Sequence, residues 1–158
     1  MEHLRAKTVI DGIAGLKGLV GKELGSSAWR TLAFQDIVRF ADATSDHQWI
    51  HVDRERIARE SPFGAPIAHG YFSLSVISAL LFEIIETRGM AMVINYGLNK
   101  VRWPSPLKEG ASYRLSCKLV GLKEVGNAQE ATLAATVEIQ GEAKPACVAE
   151  LLFRFVGA

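Results

Sequence analysis

From Gly70 to Phe82 the chain carries no charged side chain, and its only polar ones are serines and a tyrosine. The stretch sits inside Ile67–Thr87, IAHGYFSLSVISALLFEIIET, where apolar residues fall on every side. A helix of that composition is buried all round rather than amphipathic. A membrane span needs about 18 or more apolar residues in a row. His69, Ser73, Ser75, Ser78, Glu83 and Glu86 interrupt this one. A buried strand would be shorter, on the order of 4–8 residues. The stretch therefore predicts a core helix over Ile67–Thr87 that the rest of the chain must wrap.

The chain is long enough to do so. Its 158 residues predict one domain, 1–158, able to bury roughly 70% of the surface of the unfolded chain. With 18 Lys and Arg against 17 Asp and Glu, nothing suggests a nucleic-acid or other polyanion partner. Cys117 and Cys147 are too few and too far apart for a disulfide framework or a zinc site, and each reads as the inner face of a strand. Glu2 and Asp11 break up the start of the chain, which lacks the apolar core of a signal peptide. The expectation is a cytoplasmic protein with no membrane partner.

Taken in order, the first 25 residues hold Gly12, Gly15, Gly18 and Gly21, without the order of a phosphate loop. A short helix around Thr8–Ala14 and a loosened connection are expected there, then a strand over Ser27–Leu32. Phe34–Thr44 reads as a helix, with Phe34, Ile37, Val38 and Ala41 on one stripe. Asp53 suits the N-cap of a short helix, Arg54–Glu60, and Ser61–Pro66 is a loop by its proline and glycine. After Thr87 the period changes to two. Met92–Trp103 is β-rich with a break near Gly97 that suggests a bulge. Inner faces then run through Tyr113, Leu115, Cys117 and Leu119, through Ala131 to Ile139, and through Cys147 to Phe155. Short connections at Gly126-Asn127 and Gly141-Glu142 predict an antiparallel meander. One buried helix and one antiparallel sheet make an α+β domain.

The chemistry is dense in Thr44-Ser45-Asp46-His47-Gln48-Trp49-Ile50-His51. A carboxylate and an imidazole that converge can hold a water between them, one orienting it while the other acts as base, because histidine titrates near working pH. Spacing alone leaves a second reading open, an aspartate capping the next turn beside a solvated histidine. His47 and His51 have the separation of two metal ligands on a helix. However, Trp49 and Ile50 stand where the HExxH pattern has its glutamate, and no metal is expected.

The order of helix, Asp46-x4-His51, loop, Pro66-Ile67-Ala68-His69-Gly70, apolar helix and Asn99-Lys100-Val101-Arg102-Trp103-Pro104-Ser105-Pro106 resembles the MaoC-like (R)-specific enoyl-CoA hydratases. The match is detailed from Phe34 to Gly110 and one of pattern in the terminal strands. The family's usual core is Gly-Asp-x-Asn-Pro-(Leu/Ile)-His. Here Ser45 replaces the glycine, and Gln48-Trp49 replaces Asn-Pro, removing the supporting hydrogen bond the asparagine would make. The DHQWIH form is similar to the nodulation-protein-N-like branch.

The resemblance implies a hot-dog fold, an antiparallel sheet wrapped around a long central helix, paired into a homodimer with sites at the interface. It implies hydration of trans-2-enoyl-CoA to (R)-3-hydroxyacyl-CoA without a cofactor. Asp46 and His51 would hold the water. Gly70 N–H, at the positive start of the core helix, would face the thioester oxygen, with no Cβ to block its approach. Ser78 takes the place of the third polar residue of the family's set. It stands roughly 12 Å along the helix from Gly70 at 1.5 Å per residue, too far to share one oxyanion. Gln48 and His69 would border the substrate, His69 also fixing its loop. Lys100, Arg102 and Lys108 are sources of charge for the CoA phosphates, and Met92–Leu98 is the expected dimer edge. A hot-dog thioesterase and a non-catalytic acyl-CoA-binding module are the alternatives.

Overall fold

The computed structural model describes residues 6–158; Glu2, used above in reading the start of the chain, lies outside them. The uncharged stretch is a helix, α5, Gly70–Ile84. It begins three residues later than Ile67 and stops before Thr87. Ile85–Arg88 is instead a strand, β4, paired in parallel with β1, Thr8–Asp11. Ile85, Thr87 and Arg88 are thus strand rather than helix. A β-branched pair at Ile84-Ile85 followed by alternating Glu86, Thr87 and Arg88 suits an extended segment better than another helical turn. The expected helix at Thr8–Ala14 is likewise split into β1 and a short α1, Gly12–Lys17, turned by Gly12 at φ +62°. A single strand at Ser27–Leu32 is not found. Two short pieces, β2 (Glu23–Ser26) and β3 (Arg30–Thr31), both pair with β6.

The main sheet follows the order β2-β6-β7-β8-β5, with β3 also on β6. Its long strands are β5 (Met90–Arg102), β6 (Ser112–Val125), β7 (Ala128–Ile139) and β8 (Cys147–Gly157). The β6-β7-β8 meander is antiparallel throughout. Gly126, at φ +58°, takes the first place of the two-residue β6–β7 turn, a position that asks for glycine. β5 pairs only with β8 and closes the path as an edge, with its register slipping between Asn95 and Gly97 where the bulge was expected.

α5 packs against β2, β4, β6, β7 and β8. Ile77, Leu80 and Leu81 are sealed against Leu115, Leu119, Leu133, Val137, Leu151 and Phe153, each worth roughly 1.5–3 kcal/mol of burial. Cys117 and Cys147 do face inward, free and buried; burial pushes their thiols up to about 12 and about 11, which leaves them unreactive. Among the described residues no helix is long and apolar enough to cross a membrane.

Burial of α5 is not complete within one chain. Tyr71 is 68% and Phe82 42% exposed, so one apolar stripe of the helix remains outside the sheet's grip.

Three helices lead to the start of α5. α2 is Phe34–Thr44, α3 is Trp49–Val52 and α4 is Arg54–Glu60, the last capped by Asp53, whose carboxylate accepts from Arg56 N at 2.9 Å. Gly70 begins α5 under the indole of Trp103. A Cβ built on Gly70 would lie 2.9 Å from Trp103 Cδ2 and 3.0 Å from Cε2, closer than packed atoms sit. The space that glycine leaves is therefore filled by Trp103 rather than kept open. Gly70→Ala should lower stability by about 1–3 kcal/mol through overpacking. In a Trp103→Ala background the same change should cost a few tenths of that at most. Urea midpoints of the four proteins in this cycle measure the coupling.

Candidate active site

The chemically dense stretch is shaped by the end of α2. Ser45 takes a left-handed conformation, φ 59° and ψ 21°, as the residue that stops the helix. That is a glycine's position. The chain then reverses through Asp46, His47 and Gln48, and α3 carries His51 back toward α5. The Asp46 carboxylate holds this turn by accepting from Gln48 N at 3.3 Å. The exposed His47 contacts Asp42 at 2.8 Å rather than joining His51.

The histidine that does join His51 is His69. The two rings stack with centroids 3.7 Å apart and planes 21° from parallel. Both are buried. His51 Nδ1 lies 2.6 Å from the Ile67 carbonyl oxygen. A carbonyl only accepts, so Nδ1 carries the proton and the neutral ring keeps its lone pair on Nε2. His69 Nε2 lies 2.9 Å from the Asp46 carbonyl oxygen and by the same argument donates to it. Its Nδ1 is buried with no partner among the described residues, an acceptor such a site does not ordinarily leave unused.

Asp46, His51 and His69 each bring one donor atom within 4.8 Å of the others. Asp46 Oδ2 is 4.0 Å from His69 Nε2. The same three atoms are the set a cation would need. Two of the four ring nitrogens, however, are already committed as donors to main-chain carbonyls, so each imidazole keeps a single lone pair for any other purpose.

Gly70 follows His69 directly. In the first turn of α5, Phe72 and Ser73 N–H donate to the His69 carbonyl. The N–H of Gly70 makes no backbone bond, as the first residue of a helix requires. Gln48 is exposed beside Asp46. Lys108 is exposed, and its backbone bridges Ile67, the residue that holds His51. Lys100 and Arg102 are exposed on the edge strand β5, and Arg102 donates to the carbonyl of Val101 at 2.7 Å. Ser78 is not drawn into this group; it is half-buried two turns along α5. Ser75 bonds to the Tyr71 carbonyl one turn back at 2.6 Å, as a helical serine does by default.

Three participants were not anticipated. The Ile67 carbonyl is a main-chain group and leaves no mark in a sequence. Trp103 reaches Gly70 only through the fold. Phe40, whose ring centroid is 5.1 Å from that of His69, had a visible signal. It is a large aromatic on α2 outside the stripe of Phe34, Ile37, Val38 and Ala41, and so needs another surface to meet.

With this geometry the comparisons with known proteins agree. The MaoC like domain model matches residues 16–143, and the chain belongs to the MaoC-like dehydratase family. It is 46% identical over 147 residues to 3-hydroxyacyl-thioester dehydratase Z of Mycobacterium tuberculosis, covering 92% of this chain and 97% of that one. It is 43% identical over 143 residues to Nodulation protein N of Rhizobium leguminosarum bv. viciae, covering 87% of this chain and 86% of that protein, in keeping with the DHQWIH form. Among solved structures, the unliganded R-hydratase PhaJ1 from Pseudomonas aeruginosa superposes with a TM-score of 0.71 at 22% identity. That match spans 88% of this chain and 83% of that one, and the fold is the hot-dog fold.

Burial lowers the pKa of His51. The Ile67 hydrogen bond and Asp46 oppose that shift, while His69 adds to it. A histidine with a depressed folded pKa leaves the unfolded chain binding more protons between its ordinary value, about 6.5, and the lower folded one. Stability must then fall as pH drops below about 6.5 and level off below the folded pKa. Chemical denaturation between pH 8 and 5 should show this loss, and His51→Gln should flatten it. A wild-type profile no steeper than the variant's would contradict a buried neutral His51.

Proposed function

We propose that the protein is an (R)-specific enoyl-CoA hydratase, adding water reversibly across trans-2-enoyl-CoA to give (R)-3-hydroxyacyl-CoA. The observation that carries this is the meeting of Asp46, His51 and His69 within 4.8 Å, with His51 Nδ1 fixed on a carbonyl and Nε2 therefore basic. The names of the M. tuberculosis relative and of the P. aeruginosa structure support the reaction class.

In the reaction, water lies between the Asp46 carboxylate and His51 Nε2. His51 takes a proton from it as the hydroxyl oxygen bonds to C3. Negative charge moves to the thioester oxygen, facing Gly70 N–H at the start of α5, where an unpartnered donor and the helix dipole both favour it. The enolate collapses and C2 takes the proton from the imidazolium, so the site returns to its starting charge. Both new bonds form on the side of the alkene that faces the pair, a syn addition. His69 positions the Asp46 loop and the His51 ring. Gln48 and His69 border the acyl group, and Lys100, Arg102 and Lys108 supply charge for the CoA phosphates. Ser78 is left to support the loop across the core. Two buried free thiols fit a reducing compartment, and we assign the protein to the cytoplasm.

Loss of enoyl absorbance with crotonyl-CoA, followed alongside release of free thiol, tests the assignment. Absorbance should fall without thiol release, and chelators should leave the rate unchanged. Asp46→Asn and His51→Gln should each lower kcat by about 10²–10⁴, with KM moving far less. The double variant should be little worse than either single one, since both groups act on one water. Thiol release would point to a thioesterase. Folded variants with near-normal rates would make the cluster structural.

The working unit is a homodimer. β5 is a 13-residue edge strand with Met92, Ile94, Tyr96 and Leu98 exposed, beside the bare stripe of Tyr71 and Phe82 on α5. A long apolar edge invites pairing, and an antiparallel strand can pair with its own copy about a two-fold axis. Ile94→Lys, which brings like charges near that axis, should turn a dimer into a monomer by sedimentation at micromolar concentration, with loss of activity. A fully active wild-type monomer would count against this assembly.

A further inference from the structure

Phe40 touches two regions at once. One face of its ring meets His69 at a centroid distance of 5.1 Å. The ring also meets Phe72 edge-on at 5.7 Å and 87°, and there it lines a cavity of ≈ 410 Å³ between α2 and α5. The buried Phe72 and Tyr113 form the floor of this cavity, the half-buried Phe40 and Val76 its walls, and the exposed Ala43 lies at its mouth.

The mouth also carries Arg30, Asp36 and Arg39. Arg30 is paired with Glu83, and Arg39 lies 3.4 Å from Asp36. Each cation is matched, so the lip presents no free charge to hold an anionic group. A dry cavity of about 150 Å³ accepts a six-carbon benzene, so ≈ 410 Å³ has room for on the order of ten chain carbons. An aromatic floor, a charge-balanced lip and that volume suit an uncharged alkyl chain. Phe40 and its neighbour Phe72, the third residue of α5, are the side chains that join the cavity to the start of that helix.

Building on the hydratase reading, we propose that this cavity receives the distal part of the substrate's acyl chain and that Phe40 is the partition that sets chain-length preference. Carbons 1–4 of the enoyl group lie at the Asp46–His51–His69 cluster. Chains that extend further must pass the Phe40 ring, which turns aside against Phe72 to admit them. Short chains never meet it.

The measurement is the ratio of kcat/KM for trans-2-decenoyl-CoA to that for crotonyl-CoA in folded variants. Phe40→Ala, with the partition removed, should raise the ratio about tenfold or more, and Phe40→Leu should raise it less. Val76→Phe, which fills the cavity from its other wall, should lower the ratio by about tenfold, the scale on which a pocket discriminates chain carbons. Should either core variant fail to fold, Ala43→Phe at the exposed mouth should lower the ratio in the same direction. Crotonyl-CoA hydration with ratios unchanged within twofold in the folded variants overturns this inference and leaves the hydratase reading standing. Absence of crotonyl-CoA hydration in the unmodified protein overturns both.

Discussion

The rest of the structure depends on the lack of any charge between Gly70 and Phe82. A helix with no polar face cannot lie on a surface, so the sheet must curl until β2, β6, β7 and β8 all touch it. That wrapping fixes the alternation of every strand, because a one-residue slip would turn the inner row outward. It also fixes where the chemistry can be. A buried helix has its first N–H groups unpaired by construction, and the loop that delivers the chain to them must satisfy its own backbone in a dry place. Ile67 and Asp46 do so by giving their carbonyls to two imidazoles. The histidines are thus part of how the core helix is entered, as well as candidates for chemistry.

What could be read in the sequence follows the range of the force involved. α2 and α4 lie at the residues their stripe and cap indicate, because periodicity and an aspartate N-cap are local signals. The inner rows of β6, β7 and β8 were equally legible from alternation. The parallel pairing of β1 with β4 was not, since it joins Thr8 to Ile85 and neither segment shows a partner in its own residues. The end of α5 was misplaced for the same reason. Ile84 to Thr87 is apolar enough to continue a helix, and only the distant strand makes the extended form better.

At the site, residue types were legible and contacts were not. Asp46 and His51 stand out in any reading, but the stacking of His69 on His51 rests on a loop closure that spacing does not encode. Gly70 was read as glycine for the sake of a thioester. In the folded chain Trp103 occupies the space a Cβ would need, so packing alone requires the glycine. Ser45 is the reverse case. The family's glycine at that place is explained by the left-handed backbone there, and the serine accepts a strain of about 1 kcal/mol without altering the turn.

The stacked pair also limits how many protons the site can hold. At 3.7 Å between ring centroids, two positive charges would repel by about 4 kcal/mol even at an effective dielectric of 20. Burial already disfavours a charged His51, and Asp46, tied to Gln48 N, does not reach it as a direct ion pair. An imidazolium at His51 is therefore a costly state, entered when water gives up a proton and left as soon as carbon can accept it. A base that readily stayed protonated would have little drive to return the proton to C2. The two carbonyls that hold the rings in their tautomers, and the core helix that keeps water away, set that cost together.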